Sequence, residues 1–304
     1  MSSSVQKGYD TQVFRTVDER KDHPLSNVFR YQNFIIASLY RHFCPSTGRI
    51  RVLELAVGKG GCLKKWDAIP SVILVVGLDL SPVSVEECKK RYNSMKDKRA
   101  VFHASFDVAD CFYSPLRALP VSSFQVVSCQ FAYHYACKTE ASMRQALQNF
   151  SLYLDVGGAV LLTFPNPDYI HTLFQTLAPD GQVIENENFK IELHEPFTTW
   201  RTKTGPGREY LFSLHDTIQA LPEYMVDLAC MQTWGEEYGL VLEHQATFPE
   251  LFAMFETTYA ATQRAMQASA PTNEVDQVTV DLYQYVILRK KAKGIAAADS
   301  GISA

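Results

Sequence analysis

The sequence has no apolar run of the roughly 18 residues that a membrane-crossing helix needs, and its first residues, MSSSVQKGYD, lack the apolar stretch of a signal peptide. Its seven cysteines form no CxxC pair. An odd number of cysteines at irregular spacing argues against a disulfide framework and a structural zinc site, and it favours reduced thiols in an intracellular protein. We therefore expect no membrane association and no metal site.

An excess of basic residues is also missing, since 29 lysines and arginines stand against 33 aspartates and glutamates, for a net charge of −4. A protein that coats a nucleic-acid backbone needs a strong basic field. The composition therefore argues against DNA binding and against broad contact with RNA. Recognition of a single nucleotide or of a short RNA end stays open.

Apolar residues are plentiful, at 46% of the 304 residues, and aromatic residues make up 12%. These values predict a large core and one elaborated domain. We expect a flexible N-terminal segment over residues 1–22, a single domain over residues 23–290 and a flexible tail over residues 291–304. Within the domain we expect a cofactor half at about 23–165 and a second half at about 166–290.

Strand and helix patterns alternate through the first half. An amphipathic helix is predicted over residues 24–44, and another begins with Ser81 as its N-cap and Pro82 as its first residue. Apolar strands are predicted over residues 51–55, 72–79, 101–106, 124–131 and 159–164. This order predicts a Rossmann-like α/β fold, with a parallel sheet and helices on both faces.

The second half is less regular in sequence. Strands are predicted over residues 189–193, 210–214, 240–243 and 277–290. Leu221 and Pro222 are predicted to begin a helix that ends near Gly239.

A glycine-bearing turn, with Gly58, follows the first predicted strand, and Asp79 ends the second strand 21 residues later. This pattern is typical of a nucleotide-like ligand, because glycines admit close backbone approach and the acid can accept from both ribose hydroxyls. The alternative is that the glycines only form a tight strand-helix corner. A GxGxxG pyrophosphate fingerprint is absent, so a cofactor with ribose but no diphosphate, such as S-adenosylmethionine, fits better. Asp110 is a candidate acceptor for the adenine amino group, or a solvated loop acid.

Five blocks of the sequence resemble, in the same order, the eukaryotic mRNA cap guanine-N7 methyltransferases. They are LELAVGKGGCLKKW (53–66), DLSPVSVEECKKRY (79–92), SCQFAYHY (128–135), GGAVLLTFPN (157–166) and LPEY (221–224). The block SCQFAYHY is the most distinctive, because generic methyltransferases do not carry it. The resemblance implies a class I methyltransferase fold, with a mostly parallel seven-stranded sheet and an irregular cap-binding insertion in the second half.

The resemblance also implies S-adenosylmethionine as the cofactor and the guanosine of a GpppN RNA cap as the methyl acceptor. It implies cofactor contacts for Gly58, Lys59, Asp79, Asp110 and Gln130. It implies cap contacts for Asn33, Lys59, Arg91, His134, Tyr135, Pro165, Glu223 and Tyr283. Guanine N7 already carries a lone pair, so methyl transfer needs no general base. The resemblance implies that His134, Tyr135 and Glu223 only position the guanine for the transfer.

Several of these side chains have a structural explanation as well. His134 and Tyr135 follow an apolar strand and can cap the edge of the core. Glu223, directly after a proline, can be an acid in the first turn of a helix. Tyr283 lies in a half-apolar strand and can be a core residue, and Arg91 can be a solvated helix charge.

The chain departs from the family pattern near the cofactor, where Ala56 replaces a glycine, Cys62 an aspartate and Ile36 a lysine. Two other functions therefore stay open. One is a cap- or cofactor-binding subunit that has lost catalysis. The other is a small-molecule methyltransferase, which the net negative charge supports.

The family resemblance implies a nuclear location, and RNA guanylyltransferase or other capping factors as partners. No basic localisation cluster is present in the sequence. A cytoplasmic location is therefore the alternative.

Overall fold

The structure is a computed structural model that describes residues 6, 8, 10, 23–45, 48–96, 102–117, 119–121 and 123–292. The segments predicted to be flexible, 1–22 and 291–304, lie outside the described residues except for residues 6, 8, 10, 291 and 292. Within the described ranges, no helix has both the length and the apolar character that a membrane span requires.

The first half alternates helices and strands, as predicted. In chain order it contains α1 (Ser26–Phe43), β1 (Ile50–Leu55), α2 (Leu63–Asp67), β2 (Val72–Asp79), α3 (Pro82–Lys96), β3 (His103–Val108), β4 (Phe124–Gln130), a 3₁₀ helix (Tyr133–Lys138), α4 (Glu140–Leu152), β5 (Leu154–Pro165) and α5 (Pro167–Leu177). Strand β5 begins before the predicted position, so Gly157 and Gly158 lie inside this strand. The cap of α3 is confirmed, because Ser81 Oγ accepts from Ser84 N at 3.0 Å.

The segment after α5 forms a second sheet. It contains β6 (Val183–Glu185), β7 (Phe189–Leu193), the short helix α6 (Phe197–Trp200), β8 (Glu209–Leu214) and β9 (Ile218–Tyr224). The four strands lie in the order β6-β7-β8-β9, and every neighbouring pair is antiparallel. The insertion that was expected to be irregular is therefore a regular antiparallel sheet.

The rest of the chain returns to the first sheet. It contains α7 (Leu228–Glu237), β10 (Leu240–Thr247), α8 (Phe248–Thr258), α9 (Ala260–Met266), α10 (Glu274–Asp281) and β11 (Tyr283–Lys290). The first sheet has seven strands in the order β10-β11-β5-β4-β1-β2-β3. Strand β11 runs antiparallel to both of its neighbours, β5 and β10. The other neighbouring pairs of this sheet are parallel. The predicted seven-stranded, mostly parallel sheet is confirmed.

Two element predictions for the second half are wrong. Leu221 and Pro222 lie in strand β9, and the next helix begins only at Leu228. Strand β9 is an edge strand, where a proline can lack its N–H without breaking the inner ladder. Residues 274–281 form α10, so the last strand begins at Tyr283 and not at residue 277.

Alternating side chains of the seven-stranded sheet face two apolar layers. Val52 and Val126 pack in the layer that contains α1, α2, α3 and α8, whereas Leu53 and Val127 pack in the layer that contains α4 and α7. All four are fully buried. Helices on both faces are thus confirmed, and the loops that follow β1, β2 and β4 meet at one edge of the sheet, where ligands of such folds bind.

Candidate functional site

A cavity of about 390 Å³ lies at this edge, beyond the carboxyl ends of β1, β2 and β4. Its lining includes eight of the predicted site residues, namely Asn33, Gly58, Lys59, Asp79, Arg91, Asp110, Gln130 and Tyr135. The other four predicted residues, which are His134, Pro165, Glu223 and Tyr283, are not part of this lining.

The loop between β1 and α2 passes through left-handed backbone at Ala56 (φ 55°), Gly58 (φ 53°) and Gly60 (φ 74°). A Cβ at Gly60 would lie 2.9 Å from Cys88 Sγ, so glycine is required in this tight corner. A Cβ at Gly58 would meet no atom within 4 Å, and this residue borders the cavity. The loop is therefore both a strand-helix corner and an open face for a ligand. Ala56 adopts the same backbone region at a conformational cost that glycine avoids.

Asp79 ends β2 and directs its carboxylate back to the loop. Its Oδ2 accepts from Gly58 N at 2.8 Å, and its Oδ1 accepts from Ser81 N at 2.9 Å. Burial raises the pKa of Asp79, and the two N–H donors partly oppose this shift. The carboxylate is thus fixed between the loop and the start of α3, at the cavity surface.

Asp110 and Gln130 are also held in place by the protein. Asp110 Oδ1 accepts from the backbone N–H of Phe112 and of the following residue, both at 3.0 Å. The Gln130 amide donates to Leu161 O at 2.9 Å, and its Oε1 accepts from Thr163 Oγ1 at 3.0 Å. Both side chains therefore present a defined surface to the cavity.

Lys59 and Arg91 bring positive charge to the cavity from the loop and from α3. A hydrogen bond from Lys90 lowers the pKa of Glu87 on α3, and Lys59 and Arg91 contribute electrostatically to the same shift. Both cations therefore lie within electrostatic range of Glu87. Arg91 is half-buried at the cavity rather than fully solvated, and Asn33 reaches the cavity from α1.

One wall of the cavity, the Glu54 wall, is formed by Asn33, Ile36, Glu54, Cys62 and Lys65. Glu54 is only 3% exposed, and its Oε2 accepts from Trp66 Nε1 at 2.7 Å. Burial raises the pKa of Glu54 to about 7. Lys65 is 8% exposed, and its Nζ donates to a loop carbonyl at 3.0 Å. This wall therefore holds one buried acid and one buried lysine.

A second polar group, the Glu223 cluster, consists of Glu223, Tyr210, His134 and Tyr135. Glu223 Oε2 accepts from the Tyr210 hydroxyl at 2.9 Å, and Oε1 lies 3.4 Å from His134 Nε2 and 3.5 Å from the Tyr135 hydroxyl. Burial raises the pKa of Tyr210, so its phenol remains a donor. Glu223 lies on β9 and is buried, so the interpretation as a first-turn helix acid is wrong.

Tyr135 belongs to both groups, since it lines the cavity and contacts Glu223. Pro165 and Tyr283 are paired across β5 and β11 and border a narrow crevice that also contacts Tyr210. The ring of Tyr283 is 7% exposed and its centroid lies 5.1 Å from that of Phe131, a residue of the cavity lining. Tyr283 is thus a core residue that also connects the crevice to the cavity.

Several lining residues were not predicted as site residues, including Glu54, Ala56, Lys65, Ser81, Cys111, Phe112 and Phe131. Most of them are sequence neighbours of predicted residues at strand ends, and that adjacency is the signal that would have found them. Phe131 has φ 54°, a value that bulky residues rarely adopt, and no sequence pattern indicates it. Gln6 lines the cavity from the segment predicted to be flexible.

Comparison with known proteins assigns a family to this site. The family model of the mRNA (guanine-N(7))-methyltransferase domain matches residues 1–285. The chain belongs to this family. The mRNA cap guanine-N(7) methyltransferase of Schizosaccharomyces pombe is 34% identical over 244 residues, which cover 78% of this chain and 66% of that protein. The mRNA cap guanine-N(7) methyltransferase 1 of Arabidopsis thaliana is 30% identical over 311 residues, which cover 96% and 82%.

Solved structures confirm the class I methyltransferase fold of this family member. A S-adenosylmethionine-dependent methyltransferase from Clostridium acetobutylicum has a TM-score of 0.54 at 11% identity, covering 91% of this chain and 100% of that chain. The CcbJ methyltransferase from Streptomyces caelestis also has a TM-score of 0.54, at 14% identity, covering 94% and 99%. At these identities the likeness shows the fold alone.

The cofactor of this mRNA (guanine-N(7))-methyltransferase is S-adenosylmethionine, and the cavity fits it. The open backbone at Gly58 admits a nucleoside, and the Asp79 carboxylate stands where ribose hydroxyls are bound in such folds. No diphosphate-binding glycine pattern is present, in agreement with a cofactor that has none.

Proposed function

We propose that the chain is an mRNA cap methyltransferase that transfers a methyl group from S-adenosylmethionine to N7 of the terminal guanosine of GpppN-capped RNA. The observation that carries the proposal is the dual position of Tyr135, which lines the cofactor cavity and also contacts the buried Glu223 carboxylate. The cofactor site and a purine-reading acid therefore adjoin. The family match over most of the chain supports the same reaction.

In this proposal, the cofactor is held mainly by groups that the protein already fixes. Asp79 accepts from the ribose hydroxyls, and Asp110 accepts from the adenine amino group. Gly58 and Lys59 contribute the loop backbone and a positive charge, and Gln130 completes the surface at the end of β4. When bound, S-adenosylmethionine supplies an activated methyl group on a sulfonium.

The protein's contribution to methyl transfer is then proximity and alignment. N7 of guanine has a free lone pair, so no residue needs to remove a proton. Holding two reactants in line can lower a barrier by roughly 7–11 kcal/mol. The proposed positioning groups, His134, Tyr135 and Glu223, are buried, which limits their movement.

Glu223 has a second proposed role, which is to select guanine. Its carboxylate can accept from guanine N1–H and from the exocyclic amine, and a negative charge there favours the cationic ring that methylation creates. Tyr210 donates to the carboxylate at 2.9 Å, and His134 Nε2 lies 3.4 Å from it. Pro165 and Tyr283 supply the apolar and aromatic surfaces beside it.

Lys59 and Arg91 are proposed to bind the phosphates of the cap, and Asn33 is proposed as a further cap contact. All three line the cavity, and the first two place positive charge at its edge although the whole chain is negative. This local charge is compatible with recognition of a short RNA end. It does not require a basic surface along the RNA.

The test is methyl transfer from labelled S-adenosylmethionine to GpppA-capped RNA, with the same RNA carrying a 7-deazaguanosine cap as the matched control. We expect label only on the guanosine cap, recovered as the N7-methylated dinucleotide after nuclease digestion. Label on the 7-deaza cap, or none on either cap, would contradict the proposal. Cap and cofactor binding without transfer would instead support the non-catalytic subunit, and methylation of small metabolites alone would support a small-molecule enzyme.

We also propose that this reaction takes place in the nucleus, beside the RNA guanylyltransferase. The support for the partner is chemical, because a GpppN end must be made by guanylyl transfer before it can be methylated, and the nuclear location is supported by the family resemblance alone. Cell fractionation, together with co-precipitation of guanylyltransferase activity, tests both statements. Recovery of the chain in the cytoplasm alone, without that activity, would refute them.

A further inference from the structure

The Glu54 wall is the part of the cavity in which the chain departs most from its family. Cys62 stands where the pattern has an acid, and Ile36 where it has a lysine. Both residues are buried and both line the cavity. Two charges that could meet an amino-acid group are therefore absent from their expected positions.

The same wall nevertheless contains one buried acid and one buried lysine. Glu54 keeps a carboxylate at the end of β1, and Lys65 places an ammonium on α2. Lys65 acts electrostatically on both Glu54 and Cys62, so its charge is close to these residues. The methionine part of S-adenosylmethionine is a zwitterion, with one carboxylate and one ammonium, and this wall complements it.

Lys65 is unusual because a lysine with 8% exposure normally has a charged partner. Its Nζ donates to Gly61 O at 3.0 Å, and no ion pair involving Lys65 occurs among the described residues. An ammonium has three donors, so one neutral carbonyl leaves capacity for further acceptors. An anion bound beside Lys65 can accept from these remaining donors and stabilise its buried charge.

The other cations of the cavity, Lys59 and Arg91, are only half-buried, whereas Lys65 is 8% exposed. Lys59 and Arg91 act electrostatically on Glu87 of α3, whereas Lys65 acts on Glu54. The acids at the remaining surfaces, Asp79 and Asp110, would repel a carboxylate. Lys65 is therefore the buried cation of the Glu54 wall.

We propose that Lys65 binds the carboxylate of the methionine part of S-adenosylmethionine, in place of the lysine that is absent at position 36. Glu54 then faces the ammonium, in place of the acid that is absent at position 62. This inference rests on the cofactor of the proposed function and is independent of the RNA substrate. It adds to the site a residue that binds the amino-acid end of the cofactor.

The experiment compares two ligands by calorimetry. S-adenosylhomocysteine contains the amino-acid group, whereas 5′-methylthioadenosine shares the adenine and ribose but lacks that group. For Lys65→Met we expect binding of S-adenosylhomocysteine to weaken by about 10- to 100-fold, because a charge-assisted hydrogen bond is lost. Binding of 5′-methylthioadenosine should change by less than about 2-fold, and this also reports that the variant is folded.

Lys64→Met is the matched control, since Lys64 is the exposed neighbour on the same helix. Both affinities should stay within about 2-fold of the parent chain. Rescue is tested in the double variant Lys65→Met with Ile36→Lys, which returns an ammonium to the wall and should recover most of the lost affinity for S-adenosylhomocysteine. Should Lys65→Met not fold, Lys65→Gln is measured in the same way.

An unchanged affinity of Lys65→Met for S-adenosylhomocysteine would overturn the inference. An equal loss for both ligands would do so too, because it indicates damage to the cavity as a whole. If the parent chain bound neither ligand, the cofactor of the proposed function would be wrong. Failure to methylate capped RNA with normal ligand binding would refute the proposed reaction and leave this inference standing.

Discussion

The cofactor cavity and the Glu223 cluster are built in different ways. The cavity has an open volume of about 390 Å³, and most of its polar side chains are fixed by neighbouring backbone at the strand ends of one sheet. The Glu223 cluster is buried, and its four side chains come from β8 and β9 of the second sheet and from the 3₁₀ helix that follows β4. The cofactor site therefore depends on the first sheet and the helices and loops beside it, whereas the proposed guanine site also depends on how the second sheet packs against the 3₁₀ helix.

Glu223→Gln gives the sharpest test of this comparison. The change keeps the shape and removes the negative charge, so methyl transfer to capped RNA should fall by about 10²- to 10³-fold. Affinity for S-adenosylhomocysteine should stay within about 2-fold, because Glu223 is not part of the cavity lining. Single-turnover kinetics and calorimetry measure the two effects. Equal losses in both would show that the two sites are not separable.

Glu54→Gln tests the cofactor cavity through the pH dependence of the free energy of unfolding. Burial raises the Glu54 pKa from 4.5 to about 7, so the folded chain binds more protons than the unfolded chain between these values. The free energy of unfolding contributed by Glu54 must therefore fall as pH rises through this window, by roughly 3 kcal/mol at about 1.4 kcal/mol per pH unit. Denaturant unfolding at pH 4.5 and 8 should show this loss in the parent chain relative to Glu54→Gln. A constant difference between the two proteins would contradict it.

Asp79→Asn should affect the cavity and leave the Glu223 cluster intact. The amide oxygen can still accept one backbone hydrogen bond, but the charged acceptor for the ribose is lost. We expect affinity for S-adenosylhomocysteine to fall by about 10- to 100-fold. Asp107→Asn, at an exposed position near the end of the neighbouring strand β3, is the control and should have no effect in calorimetry. Equal affinities for all three proteins would refute the ribose assignment.

Asn188→Ala tests the packing of the second sheet and should have the smallest effect. Asn188, between β6 and β7, donates to Asp276 Oδ1 at 2.9 Å and to Thr279 Oγ1 at 3.0 Å on α10. Its loss should lower the free energy of unfolding by about 1–3 kcal/mol. KM for capped RNA should rise while cofactor affinity is unchanged. Glu187→Ala, at the exposed neighbouring position, should alter neither quantity, and an equal effect of both variants would exclude a role for the Asn188 contacts.

The same comparison explains which parts of the fold the sequence predicts. Strands of the parallel sheet are continuous apolar runs, and β2 has its predicted bounds, Val72–Asp79. The strand that contains Glu223 was predicted as a helix, because Pro222 is a common first residue of helices. Its strand conformation comes from pairing with β8, where Tyr210 lies opposite Glu223. Local pattern cannot show such a partner, since it lies more than ten residues away.

Within the site, the sequence predicts residues whose position follows from a loop or a strand end. Asp79 and Gly58 are of this kind, and the structure brings them together. The sequence does not predict Lys65 and Glu54 as site residues. Their proposed role in cofactor binding depends on their burial against α1 and on the side chains that they contact in the cavity. Burial of a charged residue against a ligand surface is a property of the packed chain. No spacing rule for α2 indicates it.

The position of β11 has a consequence for synthesis. This strand is the last one along the described chain, yet it lies inside the first sheet between β5 and β10. Until residues 283–290 have left the ribosome, β5 has an unpaired edge and β10 has no neighbour in that sheet. The nascent protein must therefore keep a long apolar strand edge covered or unformed through most of its translation, and binding of its nucleoside ligand is expected only after the final strand is inserted.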